Sequence, residues 1–285
     1  MPVALVTDST ASLSAETAAA RGVRVVPLQV VIGATPYDEG VDGGVTPEML
    51  ADALSAWTPV STSRPNPETI LEAYEDVAAA GATEILSVHL SAELSGTFES
   101  AQVAARRASV PVTVVDSRQV GMGTGYAVLA AADAIDEGAD AATAAVAARR
   151  RAERTTSLFY VDTLEYLRRG GRMGAAAALI GSALAVKPIL TLDQGRVVPR
   201  DKVRTAARAL ARLEELAREA AGDAPVDVAV AHLASPDRAE QLAAHLVQRL
   251  EDGLEGRAVS VGEIGAVLGA HVGPGMVAVA VSRRD

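Results

Sequence analysis

Residues 85–115, ILSVHLSAELSGTFESAQVAARRASVPVTVV, contain the pattern that decides the fold. A largely apolar run at 85–90 is followed by a helix-forming segment at 96–108 and then by a β-branched run at 112–115. Neither run alternates between apolar and polar residues, which is typical of strands covered on both faces of a parallel sheet. We therefore predict a strand, a crossover helix and a second parallel strand in this stretch.

The same alternation continues on both sides of this stretch, and predicts an α/β protein with mostly parallel sheets and helices on both faces. A chain of 285 residues favours two domains, here 1–155 and 156–285, with the helix at 141–155 as the bridge. A hairpin at Asp193-Gln194-Gly195 breaks the purely parallel order. Further strands are predicted at 3–7, 23–32, 159–161, 189–192, 196–198, 226–231, 258–261 and 276–281, and further helices at 14–21, 46–54, 69–80, 125–137, 205–221 and 236–250.

Helix starts are marked by capping residues. Thr46-Pro47-Glu48 and Asn66-Pro67-Glu68 each combine an N-cap side chain, a proline at the first helical position and an early acid. Ser14 is a further candidate cap, although Thr17 stands where a capping box requires an acid or amide.

Composition narrows the function classes. The net charge of −10 argues against non-specific nucleic-acid binding, which needs a basic face. The chain has no cysteine, which excludes disulfides and thiolate chemistry and fits a reducing compartment. No basic segment precedes an apolar one at the N-terminus, and the apolar run 175–186 is too short to span a bilayer. A cytoplasmic protein is expected.

Short strings of hydroxyl-bearing residues, glycines, arginines and a histidine lie near predicted strand ends and turns. No metal-ligand spacing or nucleophile motif accompanies them. They indicate a site that holds an anionic group by hydrogen bonds. The strings are Asp8-Ser9-Thr10, Thr62-Ser63-Arg64-Pro65, Ser95-Gly96-Thr97, residues 168–174 and His271-Val272-Gly273-Pro274-Gly275.

Two of these strings precede predicted helices. Ser95-Gly96-Thr97 follows the strand at 85–90, and ligands of open α/β sheets bind beyond such carboxyl ends. Helix N–H groups, the Ser95 hydroxyl and close backbone approach at Gly96 would suit an anion. The alternative is that Ser95 or Thr97 only caps its own helix. Thr62 has the same two interpretations, as an anion ligand or as part of a plain turn.

His271 lies in a predicted glycine-rich loop, where it would donate to a carboxylate, accept a proton, or simply face solvent. The other histidines lack ligand spacing, so a zinc site is not supported. Gly121-Met122-Gly123-Thr124-Gly125 resembles a dinucleotide fingerprint, but Tyr126 stands where its third glycine is needed. Tight helix–strand packing is the preferred interpretation of these glycines.

Residues 168–172, RRGGR, form a basic cluster in an acidic protein, and Lys202 with Arg204 forms a smaller group. These cations either favour a helix C-terminus or dock an acidic partner or a phosphate. We name Arg169, Arg172, Lys202 and Arg204 as the candidate docking residues.

Taken together, the strings resemble the DegV family of bacterial fatty-acid-binding proteins. Segments 164–172 (LEYLRRGGR), 187–190 (KPIL) and 269–275 (GAHVGPG) carry the resemblance together with Asp116-Ser117 and the strings above. The resemblance implies two α/β domains with a long-chain fatty acid such as palmitate held in a tunnel between them. It implies that Thr62, Ser95, Gly96 and His271 bind the carboxylate. Arg64 departs from the family pattern, which often has a neutral polar residue there.

The resemblance also implies a partner. In some bacteria such proteins are the acyl-binding subunit of a fatty acid kinase that serves phospholipid metabolism, and the partner uses ATP to make an acyl phosphate. The Arg-rich segment would face that kinase, and no cofactor or metal beyond the fatty acid is expected. Ile180, Leu184 and Leu268 are candidate tunnel residues.

A second hypothesis is an enzyme. Ser95 would be the nucleophile and His271 the base of a lipid or ester hydrolase, or the chain would be a small-molecule kinase. Nucleophilic catalysis needs a base oriented by a third group. The sequence shows no acid placed to orient His271, so the carrier without chemistry of its own is preferred.

Overall fold

The computed structural model describes residues 2–179 and 186–285 of the chain. Short 3₁₀ turns lie at Ser9–Ala11 and Gly174–Leu179. The strands are β1 (Val3–Asp8), β2 (Val23–Val26), β3 (Gln29–Ile32), β4 (Thr35–Asp38), β5 (Val60–Ser63), β6 (Glu84–His89), β7 (Val112–Asp116), β8 (Thr155–Tyr160), β9 (Lys187–Asp193), β10 (Arg196–Val203), β11 (Val226–His232), β12 (Ser260–Glu263) and β13 (Val277–Arg283). The helices are α1 (Ala15–Ala20), α2 (Pro47–Ser55), α3 (Pro67–Ala79), α4 (Thr97–Ala105), α5 (Met122–Asp136), α6 (Ala141–Glu153), α7 (Glu165–Arg169), α8 (Ala206–Ala221), α9 (Pro236–Arg249), α10 (Glu251–Leu254) and α11 (Ala266–Val272).

The first sheet has the order β2-β1-β6-β7 and all its pairs are parallel. Leu86 and Val88 pack under α1, α5 and α6 on one face. Ile85 packs under α3 and α4 on the other face. The prediction of a parallel sheet with helices on both faces is confirmed for this part of the chain, and with it the α/β class.

The second sheet corrects the prediction that the sheets are mostly parallel. Its order is β10-β9-β8-β13-β11-β12, and only β11 and β12 run parallel to each other. The predicted hairpin joins β9 to β10, with positive φ at Gln194 (47°) and Gly195 (81°), as a tight hairpin turn requires. Helices α8 and α9 cover one face, and the other faces the first half of the chain. Burial on both faces produces the same apolar runs in antiparallel and parallel strands.

A third, small sheet has the antiparallel order β4-β3-β5 and was not predicted. The single strand predicted at 23–32 divides at Pro27-Leu28 into β2 and β3, which belong to different sheets. β4 and β5 are four residues long and rich in polar residues, so they lack the apolar run that identifies a strand in sequence.

The predicted caps are in place. Ser14, Thr46 and Asn66 each accept a hydrogen bond from the backbone N–H three residues on, at 3.0, 3.2 and 2.8 Å. Gly125 packs so closely that a Cβ would lie 2.6 Å from the Ala11 carbonyl oxygen, which supports the packing interpretation of the glycines at 121–125. Helix α6 ends at Glu153, two residues before the end predicted for the helix at 141–155, and Thr155 already belongs to β8.

All strands of the second sheet lie after residue 154, and all strands of the other two sheets lie before residue 117. The boundary between residues 155 and 156 stays a prediction, and it lies one residue inside β8, which begins at Thr155. Across residues 2–179 and 186–285, no helix has the length and hydropathy needed to cross a bilayer.

Candidate functional site

A cavity of about 480 Å³ lies between the inner face of the second sheet and the loops and small sheet of the first half. That volume is ordinary for a small-molecule site. Its walls are largely aliphatic, and the predicted tunnel residue Leu268 is among them. Ile180 and Leu184 lie outside the described residues. Other apolar residues of the wall are Leu94, Leu167, Leu192, Val267 and Ala280.

The four predicted carboxylate-binding residues, Thr62, Ser95, Gly96 and His271, all line this one cavity. Thr62 comes from β5, the serine and glycine from the loop before α4, and the histidine from the end of α11. The Thr62 hydroxyl lies 2.9 Å from Nε2 of His271. Thr62 and His271, 209 positions apart in sequence, thus form a polar end of an apolar cavity.

Ser95 makes a capping contact and lines the cavity, and its role as an anion ligand stays a prediction. Its hydroxyl accepts from the Thr97 backbone N–H at 3.3 Å and shares a hydrogen bond with the Thr97 hydroxyl at 2.9 Å, so it helps to cap α4. It also lines the cavity. The Arg64 guanidinium covers Gly96, since a Cβ there would lie 1.6 Å from its NH1. Arg64 thus occupies the side of Gly96 on which a side chain would lie and donates to the Gly96 carbonyl at 3.2 Å, while Gly96 still lines the cavity.

His271 lies in the last turn of α11 and not in a loop. The sequence obscured this helix because glycines flank it at positions 265 and 273. Within residues 2–179 and 186–285, its Nδ1 has no hydrogen-bond partner and faces Gly170, where a Cβ would lie 2.1 Å away. Burial, aided by the nearby positive charge of Arg172, lowers the pKa of His271 to about 4. The ring is therefore neutral near pH 7.

A neutral His271 limits how the pair can serve an anion. If Nε2 accepts the Thr62 proton, the hydroxyl cannot donate to a ligand. If Nε2 carries the proton and donates to the Thr62 oxygen, the hydroxyl proton is available to a carboxylate. The second tautomer is the one that suits anion binding.

The predicted docking residues occupy three places. Arg172 lines the cavity, and its Nε and NH1 donate to the carbonyls of Leu94 and Gly170 at 2.9 and 2.6 Å. Arg169 is exposed on α7 and stacks on Trp57, with 4.9 Å between guanidinium carbon and ring centroid. Lys202 and Arg204 are exposed at the end of β10 and just after it. The docking role of these residues stays a prediction.

An outer groove of about 460 Å³ lies on the other side of Thr62, Arg172 and His271, which line both spaces. Trp57 and Arg169 contribute to its surface. Its described lining contains two arginines and no Asp or Glu, in a protein with a net charge of −10. Glu165 pairs with Arg169 from outside the groove, at 2.8 Å, and offsets part of this charge. The polar end of the cavity is thus bordered by a basic surface groove.

Comparison with known proteins decides the family. A family model described as uncharacterised proteins of the DegV family matches residues 2–284. The chain belongs to the DegV family. A DegV domain-containing protein of Streptomyces coelicolor is 54% identical over 283 residues, covering 99% of each chain.

Solved structures of other DegV proteins share the fold. One is a DegV family protein from Thermus thermophilus described as fatty acid binding, with TM-score 0.89 and 32% identity over 99% of this chain and all of that one. Another is DegV from Bacillus subtilis, a fatty acid binding protein, with TM-score 0.89 and 30% identity over both full chains. Fatty acid binding is described for those two proteins.

The Asp8-Ser9-Thr10 turn of this DegV chain has contacts that sequence reasoning missed. Asp8 is fully buried and accepts from His89 Nδ1 at 2.8 Å, from Leu90 N at 3.2 Å and from Thr10 N at 3.1 Å. The network continues from His89 Nε2 to Ser87 at 2.8 Å. It joins the carboxyl ends of β1 and β6, from which cavity-lining loops begin. The sequence signal for this network was that the apolar strand β6 carries both Ser87 and His89, which need buried partners.

Neutral His271 makes the stability of this DegV protein dependent on pH. The pKa of the ring is about 4 in the folded chain, below the ordinary value of 6.5 that applies when it is unfolded. Between these pH values the unfolded chain binds more protons than the folded chain. The contribution of neutral His271 to the free energy of unfolding is therefore complete above pH 6.5 and is lost as pH falls towards 4. Between pH 7.5 and about 4.5, we expect the free energy of unfolding of the wild type to fall by about 2–3 kcal/mol more than that of His271→Asn.

Urea denaturation at the two pH values measures this difference. His245→Asn is the matched control, because His245 is exposed on α9, where it pairs with Glu214 of α8 at 3.0 Å. Parallel pH profiles for wild type and His271→Asn would contradict a buried neutral ring.

Proposed function

We propose that this DegV chain binds a long-chain fatty acid and has no chemistry of its own. The acyl chain lies in the cavity, and the carboxylate lies at the end formed by Thr62, Ser95, Gly96 and His271. The observation that carries the proposal is an aliphatic cavity of about 480 Å³ whose polar end contains the Thr62–His271 hydrogen bond. The fatty-acid-binding neighbours support it.

The energetics favour such a ligand. About 14 buried methylenes contribute on the order of 11 kcal/mol before the costs of association. A bare buried carboxylate would cancel much of this, so hydroxyl and N–H donors must meet it. Arg172 supplies a positive charge beside those donors, which was not predicted from the sequence.

Native mass spectrometry of the protein purified from a bacterium tests the proposal. We expect an added mass near that of palmitate or a slightly longer acid.

Leu268→Trp should fill part of the cavity and weaken palmitate binding about tenfold, while a 12-carbon acid is bound as before. Protein that carries no lipid and binds no added fatty acid would overturn the proposal.

We further propose that the bound acid is presented to a partner kinase in the cytoplasm. The kinase would transfer the γ-phosphoryl group of ATP to a carboxylate oxygen, forming an acyl phosphate and ADP. The basic outer groove, which shares Thr62, Arg172 and His271 with the cavity, supports this step because phosphates are bound by arginine. This proposal is tested by measuring how much acyl phosphate a host extract forms from ATP and palmitate, with and without this protein.

The hydrolase alternative has weak geometric support. His271 Nε2 bonds to Thr62, Ser95 bonds to Thr97, and no carboxylate in residues 2–179 or 186–285 orients the His271 ring. Turnover of a chromogenic ester that is abolished by Ser95→Ala would revive it.

A further inference from the structure

Glu39 is a buried acid that none of the roles above uses. It follows β4, and 7% of its surface is exposed. Its backbone is fixed, because its N–H donates to Leu28 O at 2.9 Å and it forms an isolated bridge with Val45. Burial raises the pKa of its carboxyl, and Asp8 adds to the rise. Such a group is costly to bury unless its contacts repay the cost.

The carboxylate caps a distant helix. Oε1 accepts a hydrogen bond from Val267 N at 2.8 Å, across a sequence separation of 228 residues. Val267 is the second residue of α11, whose first backbone N–H groups have no partners within the helix. The N-cap position of α11 is Gly265, which offers no side chain for this purpose. Glu39 therefore supplies from the first half of the chain a cap that a local residue usually supplies.

The glycine at the cap makes room for the acid. A Cβ on Gly265 would lie 2.4 Å from Glu39 Oε1 and 3.0 Å from its Cδ. The backbone of Gly265 has an ordinary negative φ of −59°, so conformational freedom does not explain the residue. Close approach of the carboxylate does.

The other end of α11 carries His271. The helix is seven residues long, or about 10 Å, and packs against α2, α7, β3 and β5. Val267 and Leu268 line the cavity along its length, and His271 meets Thr62 at its last turn. A shift of the helix at its capped end therefore moves the ring that orients the Thr62 hydroxyl.

We propose that Glu39 is a positioning residue for the ligand site, holding α11 by its first turn so that His271 meets Thr62 in the geometry that binds a carboxylate. This inference rests on the proposed fatty-acid function. It adds a residue that touches no ligand and that acts through α11.

Palmitate titration of Glu39→Ala, combined with NMR of ¹⁵N-labelled histidine, tests the proposal. We expect affinity to fall about tenfold, because α11 no longer holds His271 against Thr62, and the His271 signals to move in ligand-free protein. Gly265→Ala should reproduce both changes by displacing the carboxylate. Glu39→Gln, which keeps an acceptor oxygen, should restore affinity to within about threefold of wild type.

The controls separate positioning from stability. Glu263 also accepts a backbone N–H, from Ala234 at 3.0 Å, but lies on exposed β12, so Glu263→Gln should change neither readout. Ser282→Ala loses a buried hydrogen bond to the Thr155 hydroxyl, at 2.6 Å, between residues that line neither the cavity nor the groove, and should lower stability alone. If Glu39→Ala does not fold, Glu39→Asp keeps the charge but is one methylene shorter, and should weaken binding about threefold.

Wild-type affinity and unmoved His271 signals in Glu39→Ala and Gly265→Ala, or in Glu39→Asp if alanine does not fold, would overturn the inference. Absence of palmitate binding by the wild type would instead contradict the proposed function. The histidine signals of the ligand-free protein would then still report whether Glu39 positions α11.

Discussion

Replacing Asp8 with alanine is expected to lower the free energy of unfolding by about 3–5 kcal/mol, since each orphaned buried donor costs about 1–3 kcal/mol. The change leaves the buried donors His89 Nδ1, Leu90 N and Thr10 N without their acceptor. Urea denaturation at pH 7.5 measures the loss.

Two milder variants should lower the free energy of unfolding by less than Asp8→Ala does. Asp8→Asn keeps one acceptor oxygen, so its free energy of unfolding should fall less than that of Asp8→Ala. It should still fall, because the amide group turns a donor towards other donors. Tyr74→Phe removes only the bond from the tyrosine hydroxyl to Ser87, at 2.9 Å, and should cost about 1 kcal/mol. A loss below about 1 kcal/mol for Asp8→Ala would mean that the core reorganises or admits water.

The double variant Thr62→Ala with Ser95→Ala is expected to weaken palmitate binding by about 2–4 kcal/mol, or roughly 30- to 1,000-fold. Two hydroxyls that would meet the carboxylate are removed, and His271 Nε2 loses its partner at 2.9 Å. Calorimetric titration with palmitate measures the change. An unchanged affinity would place the carboxylate elsewhere in the cavity.

Matched variants on the same strand sharpen this test. Thr62→Ser retains the hydroxyl and should retain most of the affinity. Ser61→Ala alters the neighbouring residue of β5, which lines the outer groove but not the cavity, and should bind palmitate as wild type does. Equal losses for Ser61→Ala and Thr62→Ala would point to a general weakening of β5.

Much of the fold followed from short-range patterns. The caps at Ser14, Thr46 and Asn66 act on an N–H three residues away, so a few neighbouring letters contain the whole interaction. The parallel sheet around residues 85–115 was evident because crossover helices and apolar strands alternate locally. The short polar strands β4 and β5 were missed, since their pairing is decided by the β3 edge and not by their own composition.

The site was predictable only as a list of residues. Thr62, Ser95, Gly96 and His271 were named from the sequence, and the structure brings them to one cavity. Arg172 was assigned to a docking patch, which stays a prediction, and it also lines the cavity because its carbonyl partners, Leu94 and Gly170, fold next to that wall. His271 was placed in a loop because flanking glycines concealed a seven-residue helix.

The sequence alone determined the α/β class, the positions of most helices and the family strings, because capping and hydrophobic periodicity act over a few residues. Tertiary structure decided the antiparallel order of the second sheet, the buried contacts of Asp8 and the cap that Glu39 provides. The contacts involved span 81 residues from Asp8 to His89, 209 from Thr62 to His271 and 228 from Glu39 to Val267. Their distances depend on how whole elements pack, which no local pattern in the chain encodes.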